Sequence, residues 1–266
     1  MLFETLSDHK RRLVKDVGSK LLWSLERSIV RHSLVGDTPL LDRASFPWLS
    51  MLEAGTPSIR SEVDALLVHR ELLPNLQDIS KDQQSITSDD RWKAYFLYAF
   101  GLRSEANAVR CPLTSALLRR IPGLVTAFFS VLAPGKHIPK HRGVYRGLVR
   151  IHLGVKVPKT NGDQCRMLID GHRVSWEEGR AFVFDDCYQH EVWNDTDEER
   201  VVLLLDVLRP LPAPIQLLNR ALVRAVRASP FVTDAAKSEY EWERRFAEAL
   251  ARPSMRPAYR ASRHTL

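Results

Sequence analysis

The stretch GKHIPKHRGVYRGLVRIHLGV, residues 135–155, decides how the chain folds. Its second half has the composition of a β-strand, yet Arg150 and His152 stand among valines, leucines and an isoleucine, with His137 and His141 just upstream. Alternation along Leu148–Val157 places Val149, Ile151, Leu153, Val155 and Val157 on one face. It places Leu148, Arg150, His152 and Gly154 on the other. A guanidinium and an imidazole on a strand this apolar need polar partners. A packed interior does not provide them; a water-accessible cavity that receives an anion does.

A second stretch, FDDCYQHEVWNDTDEER at 184–200, supplies what the first lacks. Five of the nine histidines fall between residues 137 and 190. Metal binding needs neutral imidazoles converging from different strands, and oxygen-activating iron favours histidine with open coordination positions. His141 and His190, distant in sequence but on strands of one barrel, would form such a pair. Arg200 then leads into the strand VVLLLDV, where a guanidinium can grip a carboxylate through two parallel hydrogen bonds.

Outward from these stretches the pattern is consistent. From Leu124 the hydrophobic period is two, in LVTAFFSVL, YRGLVRIHLGVKVP, QCRMLIDG, GRAFVF and RVVLLLDVL, with turn residues between. Many short strands at this spacing predict an antiparallel sandwich or barrel. Helical patterns flank it at 47–79 and beyond the prolines of RPLPAP, so the fold class is α+β. Within 80–115 the aromatic run DRWKAYFLYAFG is expected to wall a pocket. Three regions follow: a basic amphipathic N-terminal region 1–36, a catalytic domain 37–210 with its β core from about 124, and a basic helical extension 211–266.

The 266 residues suit one domain with extra helices. Three widely spaced cysteines (Cys111, Cys165, Cys187) form neither a disulfide framework nor a CxxC pair. MLFETLSDHKRRLVKDVG lacks the apolar core of a signal peptide. No run reaches the ~20 apolar residues of a membrane span, so the expected location is cytoplasmic. Of the net charge of +7, the ends hold +3 (1–36) and +6 (209–266), leaving the centre at −2. No zinc-finger spacing, aromatic RNA-binding strand or glycine-rich phosphate loop accompanies that charge, so nucleic acid is not an expected partner. The helix expected over 10–32 has a cationic face. It either docks on the catalytic domain or lies on the inner membrane surface.

Residues 128–210 resemble the aspartyl/asparaginyl β-hydroxylase family of iron(II)- and 2-oxoglutarate-dependent dioxygenases. The motifs are FSVLAPGKHIPKHRG, LVRIHLGVKVP, SWEEGRAFVFDDCYQHEVWN and RVVLLLDVLRP, with weaker likeness upstream in DRWKAYFLYAFG and CPLTSALLRRIPG. The resemblance implies a double-stranded β-helix, a cupin-like jelly roll flanked by helices, of the bacterial type without tetratricopeptide repeats. It makes His141 and His190 the catalytic iron ligands, with dioxygen as the second co-substrate. It makes Ser130, Arg150, His152 and Arg200 the 2-oxoglutarate set, Arg200 on the distal carboxylate. His137 matches a family histidine near the metal.

In the triplet His141-Arg142-Gly143, most relatives in the wider superfamily carry Asp or Glu where Gly143 stands. This branch lacks that carboxylate, leaving a place for water or, as in related halogenases, chloride. Asp186 and Glu191 lie close enough in sequence to orient His190. The resemblance implies hydroxylation of an unactivated C–H bond, first of all at the β-carbon of an aspartyl or asparaginyl substrate, free, peptidic or carrier-bound. The alternative is 2-hydroxylation of a lipid acyl chain of the lipid A or ornithine-lipid type, which suits the basic ends. Against it, those enzymes typically keep the carboxylate that Gly143 lacks. The mammalian-type enzymes place a second arginine where Leu148 stands, with Arg146 as a substitute if the strand already extends there. Chlorination and a non-catalytic cupin-like binding module are the remaining alternatives.

Overall fold

The structure, a computed structural model, describes residues 25–143, 145–159, 163–227 and 230–251. Two antiparallel sheets face each other. The larger has the order β1 (Leu40–Leu41), β9 (Ala181–Phe184), β6 (Leu148–Lys156), β11 (Arg200–Leu208), β4 (Leu124–Leu132), β2 (Trp92–Ala99), β3 (Leu102–Arg103). The smaller has the order β5 (Lys136–His141), β10 (His190–Asn194), β7 (Cys165–Ile169), β8 (His172–Ser175). Neighbours in space are often distant in sequence, as when β6 lies between β9 and β11. This is the expected jelly roll. The large sheet also recruits β1, β2 and β3 from upstream of residue 124.

The sequences of the two sheets differ because their outer faces differ. β4 (LVTAFFSVL) and β11 (RVVLLLDVL) are buried along nearly their whole length. Their sheet is covered from outside by helices, so both faces must be apolar. Those helices include α2 (Leu49–Ala54), α3 (Thr56–Leu67) and α4 (Leu76–Ile79), within the region expected to be helical. α3 rests on β6 and α4 on β2. In the small sheet, β7 and β10 alternate buried and partly exposed residues, the signature of a sheet with one wet face. Cys165, Met167 and Ile169 point inward.

Helices precede and follow the β core, while residues 10–24 and 252–266 lie outside the described residues. Of the helix expected over 10–32, the described portion is α1 (25–31), which buries Ile29. Two short helices, α5 (Glu105–Arg110) and α6 (Pro112–Leu118), lie between β3 and β4. After β11 come α7 (Ala213–Arg227) and α8 (Pro230–Ala251). α8 docks through Trp242 and Phe246, with Trp242 edge-on to Tyr95 at 5.9 Å between ring centroids. Gly154 lets the 177–180 turn close on β6. A Cβ there would lie 2.3 Å from the Glu177 carbonyl oxygen, and the Gly154 amide donates to the Arg180 carbonyl instead.

Candidate active site

His141 ends β5 and His190 begins β10, and the strand register sets the two residues directly opposite each other. Their rings stand 4.1 Å apart between centroids. His141 Nδ1 lies 2.8 Å from the Pro139 carbonyl oxygen, and His190 Nδ1 lies 2.9 Å from that of Tyr188. A carbonyl only accepts, so each Nδ1 carries the proton and each Nε2 presents a lone pair. Burial holds both imidazoles neutral. It lowers the His141 pKa and, with the charge of His141 beside it, brings that of His190 down to about 3. Two neutral imidazoles with free lone pairs, facing each other from different strands, suit a borderline metal ion.

The two histidines line one cavity together with Trp92, Ser130, Arg150, His152 and Arg200. All six residues expected at the site from the sequence therefore converge. Ser130 is buried, and its Oγ accepts a hydrogen bond of 3.0 Å from Trp92 Nε1. His152 Nδ1 accepts from Trp176 Nε1 at 3.3 Å, which puts the proton of His152 on Nε2. That Nε2 is buried without a partner. Burial, then the charges of Arg200 and Arg150, push the His152 pKa well below the usual imidazole value.

The two arginines are in opposite electrostatic states. Arg150 is held by Asp206, which accepts from Nε at 2.8 Å and from Nη2 at 3.1 Å, and its Nη1 lies 3.1 Å from Asp186. Burial works against its charge, but the two carboxylates outweigh it and the guanidinium pKa rises. Arg200 is 2% exposed, and its Nε has no hydrogen-bond partner. Its guanidinium lies 4.4 Å from the Trp176 ring centre, and among the described residues it has no ion-pair partner. Burial brings its pKa down to about 10. A buried, unneutralised guanidinium beside an unpartnered imidazole N–H is a site for an anion.

The carboxylates depart from the sequence expectation. His190 is oriented by the Tyr188 carbonyl, and Glu191 lies on the outer face of the small sheet, 2.7 Å from His137 Nε2. His137 stacks on Trp193 there and is half exposed, away from the cavity. Asp186 fills the space beside Gly143. A Cβ at 143 would lie 2.4 Å from its carboxylate atoms, while the Gly143 amide donates to the Asp186 carbonyl at 2.6 Å. Burial, opposed by Arg150 and reinforced by Asp206 and Asp185, raises the Asp186 pKa to about 6.

Donor atoms of Asp185, Asp186 and Cys187 lie within 4.8 Å of one another. That cluster is already compensated. Asp185 pairs with Arg209 at 2.5 Å, both fully buried, Asp186 pairs with Arg150, and burial holds the Cys187 thiol protonated. Arg146 lies in the turn before β6, not in the strand. It pairs with Asp37 at 2.6 Å and covers the Tyr188 ring, so it does not replace an arginine at 148. Trp92 opens the aromatic run expected to wall a pocket and does line the cavity, whereas Trp176 and Asp206 are site residues that sequence reasoning missed. Asp206 was signalled by its place as a lone carboxylate in an apolar strand.

The fold is a jelly roll whose cavity brings two facing histidines together with a buried arginine that has no carboxylate partner among the described residues. Residues 53–210 match the sequence model of the family described as Aspartyl/Asparaginyl beta-hydroxylase, and the chain belongs to that family. Among its relatives is an ornithine lipid ester-linked acyl 2-hydroxylase of Rhizobium tropici, 44% identical over 84% of this chain and 79% of that protein. Another is the human aspartyl/asparaginyl beta-hydroxylase, 29% identical over 51% of this chain but only 18% of that protein. A solved cupin domain of an XRE-family regulator from Enterobacter cloacae is 14% identical with a TM-score of 0.31, covering 45% of this chain and 99% of that one.

Proposed function

We propose that the protein is an iron(II)- and 2-oxoglutarate-dependent hydroxylase whose substrate is an acyl chain in a membrane lipid of the ornithine-lipid type. The observation that carries the cofactor assignment is the division of the cavity. Two neutral Nε2 donors lie at one side, and the unpartnered Arg200 and His152 at the other. His141 and His190 would hold the iron. Arg200, His152 and Ser130 would bind the carboxylates of 2-oxoglutarate, with Arg150 lining the same space. Iron with 2-oxoglutarate and dioxygen supplies the oxidant for an unactivated C–H bond.

The chain's own residues then do three things. The Pro139 and Tyr188 carbonyls fix the imidazole tautomers, so that Nε2 faces the cavity without a proton. Trp176 fixes the His152 tautomer so that its Nε2–H donates toward a bound anion, and it packs against the guanidinium of Arg200. Phe184, Met167, Val192 and Leu204 keep the cavity walls dry, which strengthens each of these interactions.

For the substrate, the 44% likeness extends over 223 residues, well beyond the span 53–210, so it includes helices outside the shared barrel. Gly143 still lacks the carboxylate that such lipid enzymes typically keep, since Asp186 beside it is paired with Arg150. The second reading is an aspartyl or asparaginyl side chain, favoured by the family match and the likeness to the human enzyme. Among the described residues no helix is long and apolar enough to cross a membrane, so contact with the lipid would be peripheral, at the inner membrane surface. The test is anaerobic loading with Fe(II), then oxygen and 2-oxoglutarate with ornithine lipid or an aspartyl peptide. Succinate with one added oxygen on the ester-linked acyl chain is expected. Oxygen added to the peptide alone would overturn the lipid assignment.

A further inference from the structure

α7 is unusual for a helix at the edge of a domain. Of its 15 residues only Asn219 is buried. Leu217 and Leu218 are 64% and 52% exposed, and Ala221 and Ala225 continue the same stripe at helical spacing. Arg220, Arg224 and Arg227 flank the stripe, all exposed, and rim a groove against the Phe100–Gly101 turn and the start of β4. Between Arg209 and Asp234 the chain holds no acidic residue. An apolar stripe bordered only by cations is the pattern of a helix lying in the plane of an anionic lipid surface.

The place of α7 in the barrel adds a second, independent argument. Leu148 of β6 pairs with Leu208 of β11, and Leu124 of β4 with Val207, so these strand ends form one end of the large sheet. Arg150 and Asp206, which stand beside Asp186, lie two residues in from that end, whereas Arg200 begins β11 at the far end. α7 is tied to the same end. Asn219 donates to the Gly147 carbonyl at 2.8 Å and accepts from Tyr145 at 2.8 Å. Those residues belong to the segment that runs from His141 to β6. Next to it, Arg31 and Arg142 share a basin with Glu26, Arg27 and His32, and Arg146 at its edge is paired with Asp37. Among the described residues, exposed Arg31 and Arg142 have no carboxylate within ion-pair distance.

We propose that the leucine stripe and arginines of α7, continued by the arginine basin around Arg31 and Arg142, dock the protein on an anionic phospholipid bilayer with the mouth of the cavity toward the lipid. The proposal rests on the acyl-substrate reading, which requires the cavity to meet a chain still held in a membrane.

Co-sedimentation of the full chain with vesicles tests it, using phosphatidylglycerol mixed with phosphatidylcholine against phosphatidylcholine alone. Binding to the anionic vesicles is expected, weakening as salt shortens the screening length. Each arginine near the surface contributes roughly fivefold, so R220Q/R224Q/R227Q is expected to bind about a hundredfold more weakly. L217Q/L218Q is also expected to lose binding, by removing the inserted apolar groups. Both variants alter exposed side chains only, and each is expected to keep the wild-type circular dichroism spectrum and thermal shift with 2-oxoglutarate. No wild-type binding to anionic vesicles at low salt overturns the proposal, and so do variants that bind like wild type. A leucine variant that turns a dimer into a monomer would assign the stripe to a second copy and also overturn it. Vesicle binding without lipid hydroxylation would uphold the docking surface and refute the acyl-substrate reading, so the two failures are distinct.

Discussion

Arg200→Met is expected to make the unliganded protein more stable while destroying its affinity for 2-oxoglutarate. The guanidinium is 2% exposed and no carboxylate neutralises it, and its pKa falls from 12.5 to about 10. A depressed pKa on a base means that folding disfavours the charged form, and the penalty is in full force at any pH below about 10. At about 1.4 kcal/mol per pKa unit it is on the order of 3 kcal/mol. Methionine keeps much of the packing against Trp176 and removes the charge. Replacing buried charge by an apolar group of similar volume gains roughly 1–4 kcal/mol in comparable cases. For a chain of this size each kcal/mol moves the melting temperature by about 2–4 °C. A rise of several degrees is expected by calorimetry without ligand. With wild type, 2-oxoglutarate at a hundredfold over its Kd should add about 2.7 kcal/mol of stability, and with the variant nothing. A variant that melts below wild type without ligand would mean that the charge is already satisfied in the free protein. A variant that still responds to 2-oxoglutarate would place the anion elsewhere.

Four further outcomes follow from the site. His141→Ala and His190→Ala should each lose cobalt(II) absorption and turnover while keeping the wild-type circular dichroism spectrum; a cobalt spectrum unchanged in either variant refutes the assignment. Because the His190 pKa falls to about 3 while the unfolded value is 6.5, the unfolded chain takes up a proton first. Stability is therefore full above pH 6.5 and is lost as pH falls toward 3, and His190→Gln should flatten the decline in urea midpoints over that window. Gly143→Ala should destabilise by about 1–3 kcal/mol, since its Cβ would start 2.4 Å from the Asp186 carboxylate, and Asp186→Ala in the same chain should recover part of the loss. Asp206→Asn removes one carboxylate from Arg150 and should lower the melting temperature and make thermal stability more salt-dependent; an unchanged melting curve would show that Asp186 alone suffices.

The sequence made the barrel legible because the two sheets have different environments. The small sheet alternates, as in QCRMLIDG, and the central strands of the large sheet are apolar along most of their length, so both patterns announce strands. The converging histidines and arginines were legible for a related reason, since polar groups on an apolar strand face must have a purpose. What sequence could not give was register. Register sets Arg150 opposite Asp206 and brings Asp186 against Gly143, and neither pairing leaves a trace in local spacing. Alternation sends His137 and Glu191 outward together, and a register shift between β5 and β10 turns His141, of the same parity as His137, toward the cavity instead. Trp176 was hidden differently: it resembles an ordinary core residue, and its Nε1 hydrogen bond to His152 ties it to the site. Trp92, by contrast, stood in an aromatic run already expected to wall a pocket.

Two buried arginines in one cavity pose a problem of charge that the fold solves asymmetrically. If both were unpaired, each would add a desolvation penalty and they would repel each other, and the free protein would be strained before any ligand arrived. If both were paired to carboxylates, an incoming dicarboxylate would meet like charge and find no free donor. Arg150 is instead neutralised by Asp206 and Asp186, while Arg200, at the opposite end of β11 from Asp206, is left without a carboxylate among the described residues. An anion entering the cavity thus finds its free positive charge at Arg200, where burial makes that charge count most. The fold gives up stability at Arg200, and under the proposed function binding of the carboxylate co-substrate would recover it as affinity.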